Sequence, residues 1–280
     1  MRIAERITEA AAAGLLTPGE RRVAEVVARG PELVGFGTVA DIARASGTSG
    51  PTVLRLAQKL GFDGFAAMQA DVQVEMESRL RPAVERIRDV GELEHAVART
   101  LDRSLTAVQR TLEQVDIASF DRAVDLLAGR ARHVYVLSGE ASGGVARMAA
   151  DGLELLRPGV SLVTGSPVGV AKRLAHVRPA DVVLAIDVRR YEQWVVDAVT
   201  AVAVRGASIV AVTDSPLSPL ADRSAERFLV RAEGPGPFDS HVGTLALLDA
   251  LVAGVADALR TAATKRLDAV EAAWADHLVD

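Results

Sequence analysis

Apolar residues recur at helical spacing through the first 77 or so positions, where no alternation typical of strands is found. The run Thr-Pro-Gly-Glu at 17–20 is typical of a helix start, because its threonine can cap the first turn and its glutamate can complete a capping box. Two more helices are predicted, one over 38–47 and one over 49–60, and each ends near a glycine. We therefore expect an all-helical domain over residues 1–77.

Helical spacing continues beyond residue 78, now with many charged residues between the apolar ones. Apolar side chains three or four residues apart form one stripe opposite a solvated face, namely Leu93, Val97, Leu101, Leu105 and Val108. This pattern predicts a helical connector over 78–120 that packs on the domain that follows or on a partner subunit.

The pattern changes at His133, after which short apolar runs alternate with helical stretches. Four runs have the length and β-branched content of buried strands, at 133–137, 161–164, 181–186 and 208–213. A fifth run, 226–231, is more amphipathic and suits an edge strand. Because the intervening segments are long enough for crossover helices, residues 121–280 are predicted to form an α/β domain with a parallel sheet of about five strands.

The segment from 39 to 60 has the offsets of a helix-turn-helix. Ala43 is small where two helices would cross, and Gly47 can adopt a positive φ in the turn. Ile42, Val53 and Leu56 supply the apolar anchors. An ordinary three-helix bundle with a glycine turn is the alternative interpretation of the same residues.

Charge supports the DNA-binding interpretation locally. The whole chain has 32 basic and 37 acidic residues, a net charge of −5, which argues against coating nucleic acid by bulk positive charge. Residues 42–62 nevertheless contain three basic residues and no acid. The start of the second helix would enter the major groove, with Ser49, Thr52 and Arg55 on its exposed face. Arg55 could reach a guanine edge or a phosphate, and Thr52 a thymine methyl or a phosphate. The predicted DNA-binding residues are Thr38, Ser49, Thr52, Arg55, Gln58 and Lys59, of which the last two would contact the DNA backbone.

Residues 16–25, 42–49 and 52–62 closely resemble the N-terminal domain of RpiR-type transcriptional regulators. The α/β half resembles the sugar-isomerase (SIS) domain that follows it in that family, with supporting motifs at 141–142, 188–191 and 213–221. The resemblance covers roughly residues 15 to 260. It implies a one-component repressor or activator whose SIS domain senses a sugar phosphate, sugar acid or related metabolite. It also implies operator DNA as a partner and assembly into a homodimer or homotetramer.

A ligand site is predicted at the carboxyl ends of the strands, where strand order reverses in a doubly wound sheet. If the order is that of SIS domains, loops 138–144 and 187–191 converge there. The first loop leads into a helix N-terminus that favours an anion, and the second carries two arginines able to bind phosphate or carboxylate. The predicted ligand-binding residues are Ser138, Ser142, Arg189, Arg190, Tyr191, Thr213 and Ser215. An interface or surface ion-pair role is the alternative for the two arginines.

Two departures from the family pattern affect this site. Phosphosugar-binding SIS domains carry a serine-rich loop after the third strand, whereas this chain has Asp-Val-Arg-Arg-Tyr at 187–191. Glu140 stands where the family usually has glycine or arginine, and a carboxylate there would repel a phosphate. We therefore expect a less anionic ligand, or a site that has lost sensing.

The rival function is a sugar-phosphate isomerase, for which His241 is the best candidate acid or base. The chain has no cysteine, and none of its five histidines has metal-ligand spacing. Neither a dinucleotide fingerprint nor a Walker motif is present, so no cofactor is expected. The first residues are charged and no apolar run reaches membrane-span length, so we expect a cytoplasmic protein without membrane contact. These observations favour a regulator over an enzyme.

Overall fold

The computed structural model describes residues 3–29, 31–80, 82–88, 95–129, 132–216 and 218–275. The chain divides into two compact units, one formed by Met1–Pro82 with Ser215–Asp222 and the other by Ala83–Asp214 with Arg223–Asp280.

The first unit is helical, as predicted. Thr17 and Glu20 form the predicted capping box, since the Thr17 N–H donates to Glu20 Oε2 (2.8 Å) and the Glu20 N–H to Thr17 Oγ1 (3.4 Å). A core that includes Val23, Ile42 and Leu56 holds the helices together. The helices are α1 (Ile3–Ala12), α2 (Pro18–Arg29), α3 (Pro31–Phe36), α4 (Val39–Ala45), α5 (Gly50–Lys59) and α6 (Phe65–Leu80).

The second unit is an α/β sandwich around five parallel strands in the order β2-β1-β3-β4-β5, so the predicted fold class is confirmed. The strands are β1 (Val134–Ser138), β2 (Val160–Val163), β3 (Val182–Ile186), β4 (Ser208–Thr213) and β5 (Glu226–Leu229). The more amphipathic β5 lies at an edge, as its pattern predicted. Strand order reverses between β1 and β3, which is the predicted switch point.

Every residue of β3 is buried, which indicates that helices cover both faces of this sheet. The helices are α7 (Ala83–Arg88), α8 (Ala96–Glu113), α9 (Ile117–Ala128), α10 (Gly143–Leu156), α11 (Pro167–Leu174), α12 (Gln193–Val204), α13 (Val242–Ala258) and α14 (Arg260–Trp274). A short 3₁₀ turn, Glu140–Ser142, precedes α10. In the described part of the chain, no single helix is long and apolar enough to span a bilayer; α13 and α14 meet that test only as a pair, which is bent by 104°.

The apolar stripe of α8 is not buried in this unit. Val97, Leu101 and Leu105 are 69%, 60% and 62% exposed, and Leu93 lies outside the described residues. The helix packs on α13 through its other face, where a Cβ on Gly243 would lie 2.6 Å from Thr111 Oγ1. The predicted packing of the connector helix on the following domain is therefore confirmed for its other face. Contact of the stripe itself with a partner subunit stays a prediction.

Candidate functional site

The α4–α5 pair forms the predicted helix-turn-helix. Gly47 has a φ of +59°, and the Thr48 N–H closes the turn on the Ala43 carbonyl (2.9 Å). Ile42, Val53 and Leu56 are fully buried, and Ala43 is nearly so. The offsets that predicted the motif are confirmed.

The two helix starts in this motif are capped differently. Thr38 caps α4: its hydroxyl donates to Asp41 Oδ2 (2.6 Å) and accepts the Asp41 N–H (3.3 Å). The Thr38 hydroxyl and N–H hold the pKa of Asp41 below its usual value. Ser49, the N-cap of α5, is exposed and makes no capping hydrogen bond; its Oγ lies 3.0 Å from Thr52 Oγ1. The start of α5 therefore keeps its polar groups at the surface.

Thr52 is buried, with only 8% of its surface exposed, so the prediction that it lies on the exposed face of the helix is wrong. The first turn of α2 covers it, since Thr52 Cγ2 is 3.4 Å from the Cβ position of Gly19. Its hydroxyl accepts a hydrogen bond from Arg55 Nη2 (3.2 Å). Thr52 thus orients the arginine one turn further along.

A buried carboxylate, Glu20, lies behind the cations of α5. Its side chain is 2% exposed, and it accepts a hydrogen bond from Lys59 Nζ (2.7 Å) with Arg55 Nε 3.9 Å away. Lys59 also donates to the Leu15 carbonyl (2.9 Å), so much of its ammonium group is used inside the unit. Burial raises the pKa of Glu20, but hydrogen bonds from Lys59 and Thr17 outweigh burial and lower it to about 2.

Arg55 remains 61% exposed despite these contacts. Gln58 is also exposed. The helix therefore presents an oriented guanidinium to solvent while its lysine is anchored inward. The sequence predicted Glu20 only as a capping residue, because the pairing with a lysine 39 positions away depends on how α2 and α5 pack.

The predicted convergence of loops 138–144 and 187–191 is confirmed, because the Gly139 N–H donates to the Ile186 carbonyl (3.3 Å). We call the region between the ends of β1 and β3 the crevice. Three buried hydroxyls adjoin it: Ser138 at the end of β1, Ser142 before α10 and Thr213 at the end of β4. Among the described residues none of the three has a hydrogen-bond partner. Such groups are rare in folded proteins and mark positions that a polar ligand can satisfy.

Several amide donors in and beside the two crevice loops are taken by the chain's own carboxylates. Glu192 Oε1 accepts the Glu140 N–H in a short hydrogen bond. Asp187 accepts the N–H groups of Val188 and Glu192, both at 3.0 Å. Asp214 Oδ1 accepts the Arg189 N–H (2.9 Å). Sequence reasoning missed these acids, although all of them lie in or beside loops that follow strands.

Burial raises the pKa of Asp187 to about 7, and the neighbouring carboxylates of Glu192 and Asp214 contribute to the rise against the opposing amide hydrogen bonds. His241 lies at the start of α13, and burial lowers its pKa although Asp239 and the Ala141 carbonyl oppose the shift.

Arg189 is 8% exposed and has a φ of +63°. Its Nε is 2.8 Å from Asp239 Oδ1, which also accepts a hydrogen bond from Arg86 Nη1 (2.6 Å). This pairing agrees with the ion-pair alternative, although it lies within the unit and not at its surface, and a ligand-binding role for Arg189 stays a prediction. Tyr191 donates its hydroxyl to Asp214 Oδ1 (2.8 Å).

The other two predicted ligand residues differ in burial. Arg190 is exposed. Ser215 is fully buried in the segment 215–222, which groups with the first unit. In the described part of the chain, no group of three or more acidic or histidine side chains could hold a metal ion.

Comparison with known families gives two matches. A helix-turn-helix domain model of the rpiR family matches residues 1–79, and a SIS domain model matches residues 129–254.

Curated relatives cover both units. The uncharacterized HTH-type transcriptional regulator YbbH of Bacillus subtilis is 25% identical over 269 residues, which are 92% of each chain. The bifunctional protein glk of Paraburkholderia xenovorans is 26% identical over 247 residues, 86% of this chain. This chain spans only 38% of the length of that relative.

Among solved structures, the sugar isomerase domain of an RpiR transcription factor from Sphaerobacter thermophilus is 29% identical with a TM-score of 0.58; the match covers 62% of this chain and 97% of that one. The Vibrio vulnificus NanR protein complexed with ManNAc-6P matches all of both chains at 20% identity and a TM-score of 0.60, which shows a shared fold.

Proposed function

The chain belongs to the RpiR family of helix-turn-helix regulators with a SIS domain, and from that premise we propose that α5 reads operator DNA while the crevice senses a phosphosugar or related sugar metabolite. The proposal that α5 binds DNA rests on the buried Glu20. This carboxylate keeps two cations, Arg55 and Lys59, on one side of α5, and Arg55 remains exposed to solvent. The bound ManNAc-6P of NanR and the unpartnered crevice hydroxyls support the sensing half. Operator binding would place the protein in the cytoplasm.

Arg55→Ala tests the DNA half. Loss of one base or phosphate contact typically weakens binding by about 1–3 kcal/mol, so we expect at least a fivefold rise in Kd for DNA from the protein's own promoter region, measured by fluorescence anisotropy. The matched control is Arg147→Ala, an exposed arginine of α10. Wild-type affinity should also fall steeply with salt, because phosphate contacts release counterions. Equal Kd values for Arg55→Ala and Arg147→Ala would contradict the assignment.

We further propose that the SIS unit binds its ligand without turning it over. The full-length relative YbbH is named a regulator, and His241 is held beside the Ala141 carbonyl at the start of α13. A coupled assay with common phosphosugars checks this. Isomerisation that disappears in His241→Ala would assign an enzyme instead.

A second copy of the chain is the proposed partner of the α8 stripe. Val97, Leu101 and Leu105 follow one another at four-residue intervals and leave a continuous apolar surface that is energetically unfavourable in water. Paired subunits would let a ligand change the spacing of two helix-turn-helix motifs on DNA. Leu101→Glu with Leu105→Glu should lower the mass measured by light scattering, and an unchanged mass would place the interface elsewhere.

A further inference from the structure

The crevice differs from an open anion site in one respect: several of its backbone donors are already occupied by carboxylates. Amide groups where parallel strands end and helices begin usually bind external phosphates, because their hydrogens point outward and the helix dipole adds positive potential. Here the N–H groups of Glu140, Val188, Arg189 and Glu192 all donate to side-chain carboxylates of the same unit.

Glu192 bridges the two crevice loops. Its Oε1 accepts the Glu140 N–H from the loop after β1, and its Oε2 accepts the indole N–H of Trp194 (2.5 Å). Its own N–H donates to Asp187 Oδ2. The carboxylate is thus held between the loop after β1 and the first turn of α12.

Gly139 shows how closely these acids pack. A Cβ at this position would lie 2.8 Å from Asp187 Oδ1 and 2.8 Å from Glu192 Oε1. The φ of Gly139 is −61°, which any residue can adopt, so the carboxylates and not the backbone require glycine. Two acidic groups therefore face each other over one small residue.

The positive charge of Arg189 does not compensate a bound ligand for the negative charge of these acids. Arg189 is paired with Asp239, and Glu233 Oε1 lies 4.0 Å from its Nη1. Arginine side chains that would hold a phosphate in bidentate fashion need an unshared guanidinium edge. In contrast, Ser138, Ser142 and Thr213 offer buried hydroxyls without partners among the described residues.

We propose that the crevice binds an unphosphorylated sugar through hydrogen-bond donors, hydroxyl or ammonium, directed at Asp187 and Glu192, and that these two carboxylates exclude a phosphate group. This inference rests on the proposed sugar-sensing function and narrows its ligand class. The ligand donors would bind the carboxylates, while its oxygens would accept from the three buried hydroxyls.

The test uses the full chain and two matched sugar pairs, glucose with glucose 6-phosphate and glucosamine with glucosamine 6-phosphate, titrated by calorimetry at pH 8. Wild type should bind at least one unphosphorylated sugar at least about tenfold more tightly than its phosphate. A preference for glucosamine would assign the donor as ammonium, and equal binding of glucose would assign it as hydroxyl.

Asp187→Asn with Glu192→Gln cancels both charges at nearly constant volume and should shrink this discrimination at least fivefold. Glu192→Gln alone serves if the double variant fails to fold, and Glu154→Gln, an exposed acid on α10, is the control. Tighter binding of a phosphosugar to wild type would overturn the ligand class and leave sugar sensing intact. Unchanged discrimination in the charge-cancelled variants would remove the role of the two acids. If no sugar of either kind bound, sensing and ligand class would both fail.

Discussion

A buried charged group lies behind α5 and another lies beside the crevice, and the two have opposite signs. Behind α5 the buried group is the acid Glu20, which anchors Lys59 while Arg55 faces solvent. Beside the crevice the base Arg189 is buried and paired with Asp239. The acids Asp187 and Asp214 are buried in the same region. A buried ion is stable only beside a partner of opposite charge. Each buried ion therefore determines the sign of the charged side chains next to it. One chain of net charge −5 thereby presents a basic helix and an acidic crevice.

Removing the buried acid should have the largest effect. Glu20→Gln leaves Lys59 partly buried without its carboxylate, and we expect the free energy of unfolding at pH 7 to fall by roughly 2 kcal/mol. The folded pKa of about 2 lies below the usual 4.5, so this stabilisation is complete above pH 4.5 and is lost as the pH falls towards 2. Urea unfolding of wild type, Glu20→Gln and the exposed control Glu25→Gln between pH 2.5 and 7 measures it. A difference independent of pH would contradict the ion-pair explanation.

Asp187 in the crevice should show the reverse pH dependence. The folded pKa of Asp187 is about 7 against 3.8 for a free aspartate, so the folded state holds a proton that the unfolded state has lost between these values. The free energy of unfolding should therefore fall as the pH rises from 4 to 8, by roughly 2 kcal/mol from this group.

Asp187→Asn should lack that component, whereas Asp125→Asn, exposed on α9, should retain it. Unfolding of the three proteins at several pH values provides the comparison. Parallel curves for wild type and Asp187→Asn would show that Asp187 ionises normally.

The smallest expected effect concerns the orientation of Arg55. Thr52→Val keeps the buried volume but removes the hydroxyl that accepts from Arg55, and DNA affinity should fall by about two- to fivefold, or ~0.5–1 kcal/mol. Thr52→Ser keeps the hydroxyl and should bind DNA nearly as wild type does. Anisotropy titrations distinguish the two variants. Weaker binding by the serine variant alone would point to the methyl group.

Most of the fold could be predicted from the sequence because it depends on local periodicity. The strands follow β-branched runs, and the α4–α5 turn follows from Gly47 and its apolar anchors. The burial of Thr52 on α5 could not be predicted from the sequence. Helix α2 covers this position, and helical periodicity does not show which neighbouring helix covers a given face. The same limit applies to the stripe of α8, which is apolar but exposed.

The sequence predicted where the crevice lies but not the acidic residues that line it. Parallel-sheet topology locates the switch point, and hydroxyls and arginines nearby suggested an anion site. The pairing of Arg189 with Asp239, 50 positions away, and the occupation of loop amides by Asp187 and Glu192 depend on side-chain geometry. Sequence spacing carries no information about such distant contacts.

Gly139 restricts the order in which this crevice can change by mutation. Any side chain at 139 would collide with both Asp187 and Glu192, and shortening Glu192 would remove only one of these two collisions. The effect of a substitution at 139 thus depends on the residue at 192, which is epistasis between positions 53 residues apart. Replacement of the glycine would therefore have to follow changes at both acids.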